Sequence, residues 1–179
     1  MSRIPGVTRE ALSSEHQVIW DRITAHRSGG GGPYSVIMHA PVLADRVATV
    51  EDYFRFSSSL PTVEKELVIL AVAREMGAHY PWTRHERRAR EANMRPELLE
   101  TLRANGPVEK MTPRERLLVE IARCLLRART LSEELFTRAQ RELSHEQLVE
   151  TIALVGHYTT VGYMVNALDV KAPEGSQTF

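Results

Sequence analysis

The sequence predicts an all-α fold: helix-capping residues stand ahead of apolar segments, apolar residues recur at helical spacing, and strand signals are scarce. Aromatics are only 6% of the chain, β-branched runs are short, and no Asn-Gly-type dipeptide sits between alternating segments. A first helix over 14–27 opens at Ser14, with Gln17 as its capping-box partner. The glycine-rich stretch 28–33 reads as a mobile connection, and a second helix, 41–57, follows the turn at Ala40-Pro41. The segment 62–76 contains Leu67 to Ala73, apolar all round, which marks a helix at the centre of a bundle. Helices over 80–93 and 96–104 come next. Thr112, Pro113 and Glu115 cap a helix over 113–128, with proline at the first helical position. A shorter helix spans 132–142, Ser144 with Gln147 caps a long, mostly apolar helix over 145–168, and 170–179 is a C-terminal tail.

Length and composition bound the function. A chain of 179 residues with 42% apolar and 26% charged residues fits one domain, 1–179, that can bury its own core. Lys+Arg and Asp+Glu both total 23, so the whole chain lacks the field of a dedicated nucleic-acid or anionic-membrane binder. The longest apolar run is far short of the ~20 residues that span a bilayer. Nothing near Met1 resembles a secretory signal, and a cytoplasmic protein is expected. Cys124, the single cysteine, cannot form an internal disulfide and reads as a small core residue. The glycines are not followed by the Gly-Lys-Ser/Thr of a phosphate loop. Glu64 to Arg74 echoes Glu115 to Leu125, and Leu98 to Leu102 echoes Leu148 to Ile152; two related helical halves and coincidence between amphipathic helices both account for it.

Candidate chemistry lies in the central helices. Glu66 stacks over Ile69, Leu70 and Ala73, so its carboxylate points along an apolar stripe and must find a partner or hold its proton. First-turn acid and structural ion pair are the plainer alternatives. His85 shares a stripe with Trp82, Ala89 and Ala92, and an imidazole, with an unperturbed pKa of about 6.5, exchanges protons near neutrality. His85-Glu86 begins like a zinc-protease helix, but Ala89 stands where the second histidine would be. Arg84, Arg87, Arg88, Arg90 and Arg95, partly offset by Glu86 and Glu91, read as a solvated face rather than a nucleic-acid patch, or as a cluster that holds a carboxylate or pairs with acids on a neighbouring subunit. His157 stacks with Val161 and Met164, which predicts burial with a hydrogen-bond partner, and His39 is a similar but weaker candidate.

The stretches Pro33 to Pro41, Leu60 to Leu70, and Gly77 to His85 followed by Ala89 and Ala92 together resemble the carboxymuconolactone decarboxylase family, which is also the alkylhydroperoxidase D-like superfamily. Val155 to Tyr158 and Asn166 to Leu168 extend the likeness to nearly the whole chain. The resemblance implies a helical homo-oligomer, a trimer or hexamer with a dimer also open, whose site is built around the central block. Glu66 matches the family's helix-borne acid and His85 its histidine. The peroxidase branch carries Cys-x-x-Cys ahead of that histidine; here those places hold Ala78 and Pro81, so a dithiol cycle has no thiols to run on. The cysteine-free branch implies decarboxylase-like chemistry on a small cyclic or aromatic-derived carboxylate, needing no metal or organic cofactor. Its catalytic residues would be His85 and Glu66, with Tyr80, Trp82, Arg84, His157 and His39 around the substrate. A helical oligomer of the same fold that binds a small ligand or protein partner without catalysis is the alternative.

Overall fold

The computed structural model describes residues 2–27 and 32–179. They form α-helices and a short 3-10 turn, Arg9–Ala11, with no strand among the described residues. In chain order the helices are α1 (Ser14–Thr24), α2 (Pro33–Ile37), α3 (Pro41–Phe56), α4 (Thr62–Glu75), α5 (His79–Glu91), α6 (Pro96–Arg103), α7 (Pro113–Ala128), α8 (Glu133–Glu142) and α9 (His145–Ala167). No described helix is long and apolar enough to cross a membrane.

Two of the three expected caps form as the sequence predicts. The side chains of Thr112 and Ser144 each accept from the backbone N–H three residues on, and Glu115 and Gln147 complete the reciprocal bonds. At α1 the cap is Ser13, which accepts from the His16 N–H; Ser14 is already helical, and Gln17 instead donates to the Leu12 carbonyl. The expected connection 28–33 is also corrected at its end. Residues 28–31 lie outside the described residues, Gly32 caps α2, and Pro33 begins it.

Helix α4 is the axis of the molecule. Every residue from Lys65 to Ala73 is buried, because α5, α6, α7 and α9 all pack on it. The main core joins α4 to α5–α9 through Leu67, Leu70, Trp82, Leu99, Leu118, Ile121 and Leu154. A second core joins α1, α2 and α3 around Ile23, Met38, Ala44 and Ala48, with Met164 and Leu168 of α9 against it. The end of α4 is marked by Gly77, whose φ of +62° suits a residue without Cβ. The Ala78 N–H closes back on the Ala73 carbonyl at 2.8 Å, so α5 folds back along α4 at once. The C-terminal tail returns across this hairpin, where Phe179 stacks on His79 at 4.4 Å and meets the Trp82 edge. Cys124 is half-buried at the rim of the main core, and its thiol donates to the Thr130 carbonyl.

Candidate active site

The α4–α5 hairpin lays His85 beside Glu66. His85 Nδ1 lies 2.6 Å from Glu66 Oε2, and both side chains are buried, at 7% and 8% exposure. An ionised carboxylate only accepts, so the proton of this bond sits on Nδ1 and Nε2 faces away from the pair. Nε2 makes no hydrogen bond among the described residues. Tyr158 of α9 braces the ring edge-on at 4.9 Å.

His85, Arg88 and Tyr158 line two hollows at once. One is a small chamber of about 80 Å³, walled by Tyr34 and Ile37 of α2, Val47 and Glu51 of α3, Tyr80 and Arg84 of α5, Val161 of α9, and Arg27. The other is a broad groove of about 540 Å³ that also touches Glu66, Lys65, Arg55, Phe54 and Phe56. The chamber is several times the ~15 Å³ that one water needs, so it takes a small molecule or the reacting end of a larger one.

Several chamber groups carry unspent hydrogen-bonding capacity. The hydroxyls of Tyr80 and Tyr158 and the Arg88 guanidinium, like His85 Nε2, make no hydrogen bond or ion pair among the described residues. Burial pushes the Tyr80 hydroxyl above the ordinary phenol range and that of Tyr158 well above it, so both are proton donors rather than phenolates. Gly32 packs so closely on Tyr80 that a Cβ there would lie 1.9 Å from the hydroxyl, and its φ of +70° also excludes larger residues.

Glu51 of α3 is the acid of the chamber lining. Its Oε2 accepts from the Tyr34 hydroxyl at 2.8 Å, and Arg27 Nε lies 3.5 Å from Oε1. Burial acts to raise its pKa, but Arg27, the Tyr34 hydroxyl, His85 and Arg88 prevail and hold it below the ordinary carboxyl range. Glu51 is therefore ionised at neutral pH.

Of the residues expected around the substrate, Tyr80 and Arg84 share the chamber with His85. The other three do not line it. Trp82 is fully buried on the far side of α5, where Nε1 donates to Glu86, itself held by Arg90 and Arg103. His157 is half-buried between Phe54 and Tyr158, and its Nε2 lacks the partner that burial led us to expect; burial lowers its pKa. His39 is exposed, bonded to the Pro5 carbonyl at 2.9 Å, and borders a surface hollow near the N-terminus. The arginine run divides: Arg87 and Arg90 pair with Glu91 and Glu86, while Arg84 and Arg88, four apart, turn to the chamber. Arg27, Tyr34 and Glu51 were not expected in the site, and Arg88 was expected only as one of an arginine cluster that could hold a carboxylate. Only Arg88 carried a usable signal, its spacing of three from His85. Among the described residues no cluster of three or more His, Cys, Asp or Glu is arranged to hold a metal.

Comparison with solved structures shows where this fold sits. An uncharacterized peroxidase-related protein from Ralstonia eutropha superposes with a TM-score of 0.81 at 16% identity, over 97% of this chain and 93% of that one. A protein of unknown function from Agrobacterium tumefaciens gives 0.70 at 16% identity, over 80% and 99%. A cysteine-to-alanine variant of the debrominase Bmp8, in complex with 2,3,4-tribromopyrrole, gives 0.77 at 14% identity, over 96% and 91%. No curated protein matches the sequence. The model of the carboxymuconolactone decarboxylase family matches residues 41–124, which hold both Glu66 and His85. Residues 41–124 are thus similar to the carboxymuconolactone decarboxylase family, in a chain whose fold is that of the alkylhydroperoxidase D-like structures.

Proposed function

We propose that the protein is a cofactor-independent enzyme of decarboxylase-like chemistry, acting on a small cyclic or aromatic-derived carboxylate. The observation that carries this reading is the convergence of His85 Nε2, Arg88, Tyr80 and Tyr158 on one chamber, with none of them satisfied by a described neighbour. Polar groups in a largely buried site are costly without partners, and a ligand supplies them. The tribromopyrrole bound in one structural neighbour supports a small cyclic ligand.

The chemistry follows from the donors. Arg88 receives the anionic end of the substrate as the chamber desolvates it. The bond to the departing carboxylate breaks, carbon dioxide leaves, and the electron pair moves into a conjugated carbonyl. The tyrosine hydroxyls donate to the enolate oxygen as charge gathers on it. Protonated His85 then delivers its Nε2 proton to the carbon and is recharged from water. Glu66 accepts from Nδ1 in both states, which fixes the ring and its tautomer.

Replacing His85 with Gln should lower carbon dioxide release from a carboxylated unsaturated lactone by roughly 100-fold or more, while Glu66→Gln costs less and moves the pH profile. Unaltered turnover in folded His85→Gln protein would sink the assignment. The resemblance also leads us to propose that the chain assembles with copies of itself. Val42, Leu43, Val50 and Phe56 of α3 and Val149 and Tyr163 of α9 are exposed apolar residues that such an interface would cover.

A further inference from the structure

The chamber is unlike at its two ends. Along α5 it offers donors from Arg88, His85 and Tyr80. From α2 and α3 the lining offers an acceptor instead. Ionised Glu51 has no proton to give, and the one hydroxyl beside it, on Tyr34, is already donated to Glu51 Oε2. The terminal nitrogens of Arg27 are committed as well. Its NH1 donates to the Ile23 carbonyl, and its NH2 donates to the Ala48 carbonyl and to Asp52 Oδ1 at 2.7 Å. Its Nε is buried without a hydrogen-bond partner, 3.5 Å from Glu51 Oε1. A ligand group beside Glu51 therefore meets carboxylate lone pairs, because the Tyr34 hydroxyl and the Arg27 NH1 and NH2 groups are already donated and the remaining N–H groups near it, Arg27 Nε and Arg55 NH1, are buried.

We infer that Glu51 is a specificity-determining residue, and that the chamber takes a small carboxylate whose opposite end carries a hydroxyl, including the hydroxyl of an enol or phenol. This inference rests on the proposed ligand site but not on its catalytic activity. The carboxylate lies at Arg88, the hydroxyl donates to Glu51, and a second carboxylate at the Glu51 end would face an acceptor of its own charge. An ammonium would satisfy the hydrogen bond equally. Arg27, its Nε 3.5 Å from Glu51 Oε1, already places a cation beside Glu51, so a neutral donor is favoured there over a second cation.

Three acids of matched length test this by NMR titration of the intact protein: β-hydroxypropionate, malonate and propionate. The wild type should bind β-hydroxypropionate roughly tenfold or more tighter than either of the others. Glu51→Gln keeps an oxygen for the Tyr34 hydroxyl and adds an N–H₂ donor, so its malonate affinity should rise while that for β-hydroxypropionate falls. A gain of binding cannot come from misfolding. Equal affinities in the wild type, an unchanged ratio in Glu51→Gln, tighter binding of β-alanine than of β-hydroxypropionate, or no saturable binding of β-hydroxypropionate overturns the inference. Selective binding without turnover of any lactone would instead leave Glu51 in its role and remove the decarboxylase reading.

Discussion

Single side chains divide between those that act and those that hold, and Glu150 of α9 shows the second kind at its clearest. Its carboxylate accepts from the Tyr53 hydroxyl, the hydroxyls of Ser58 and Ser59 and the Ser59 N–H, which ties α9 to the turn that ends α3. Burial acts to raise its pKa, and the Tyr53, Ser59 and Ser58 donors together hold it below the ordinary carboxyl range. A depressed carboxyl pKa contributes stability above the unfolded value of about 4.3, and that stability is lost as pH falls through the folded value. Glu150→Gln should therefore cost about 1–3 kcal/mol at neutral pH, with the difference from wild type shrinking below pH ~4. Denaturant midpoints measured across that range check it, and a pH-independent difference would count against the bonding just described. Glu150 and Glu51 share a reason for being unreadable in the sequence. Each looks like one more acid on an amphipathic helix, and what distinguishes it comes from partners far along the chain: Tyr53 for Glu150, Arg27 and Tyr34 for Glu51. Glu66 and His85 were readable because each interrupts an apolar stripe, so burial itself was the signal.

At the scale of elements, the tail is fastened to the α4–α5 hairpin. Phe179 lies between His79, Trp82 and the Arg74 guanidinium, and Arg103 NH1 donates to the Thr178 carbonyl at 2.6 Å. Phe179→Ala should cost about 1–2 kcal/mol, less than a fully buried phenylalanine because the ring is half-exposed. Thermal unfolding of that variant is the check, and an unchanged midpoint would mean that the tail is not docked in solution. Long helices were legible because caps and apolar period agree: Thr112 and Ser144 fix starts that the structure reproduces. Helix α2 was missed because five residues are too few to show a period, and its start depends on Gly32 fitting against Tyr80. The α1 cap was misplaced by one residue because Ser13 and Ser14 are adjacent and only backbone geometry chooses between them.

For the whole molecule, the proposed assembly predicts that light scattering at micromolar concentration gives a mass above that of one 20.3 kDa chain. A monomer at that concentration would contradict it, and charged residues in place of Leu43 and Tyr163 should shift a true oligomer toward single chains. The order of the helices also apportions residues of the chamber along the chain. Glu66 and His85 come from a single hairpin at its centre, whereas the acceptor wall of the chamber comes from α2 and α3, earlier in sequence and in a separate core. Under the proposed function, reactivity and discrimination are therefore inherited as different stretches of one gene product. Changes confined to residues 32–51 would redirect which acid is accepted while the proton-handling pair stays intact, so descendants of this scaffold could diversify in diet before they diversify in chemistry.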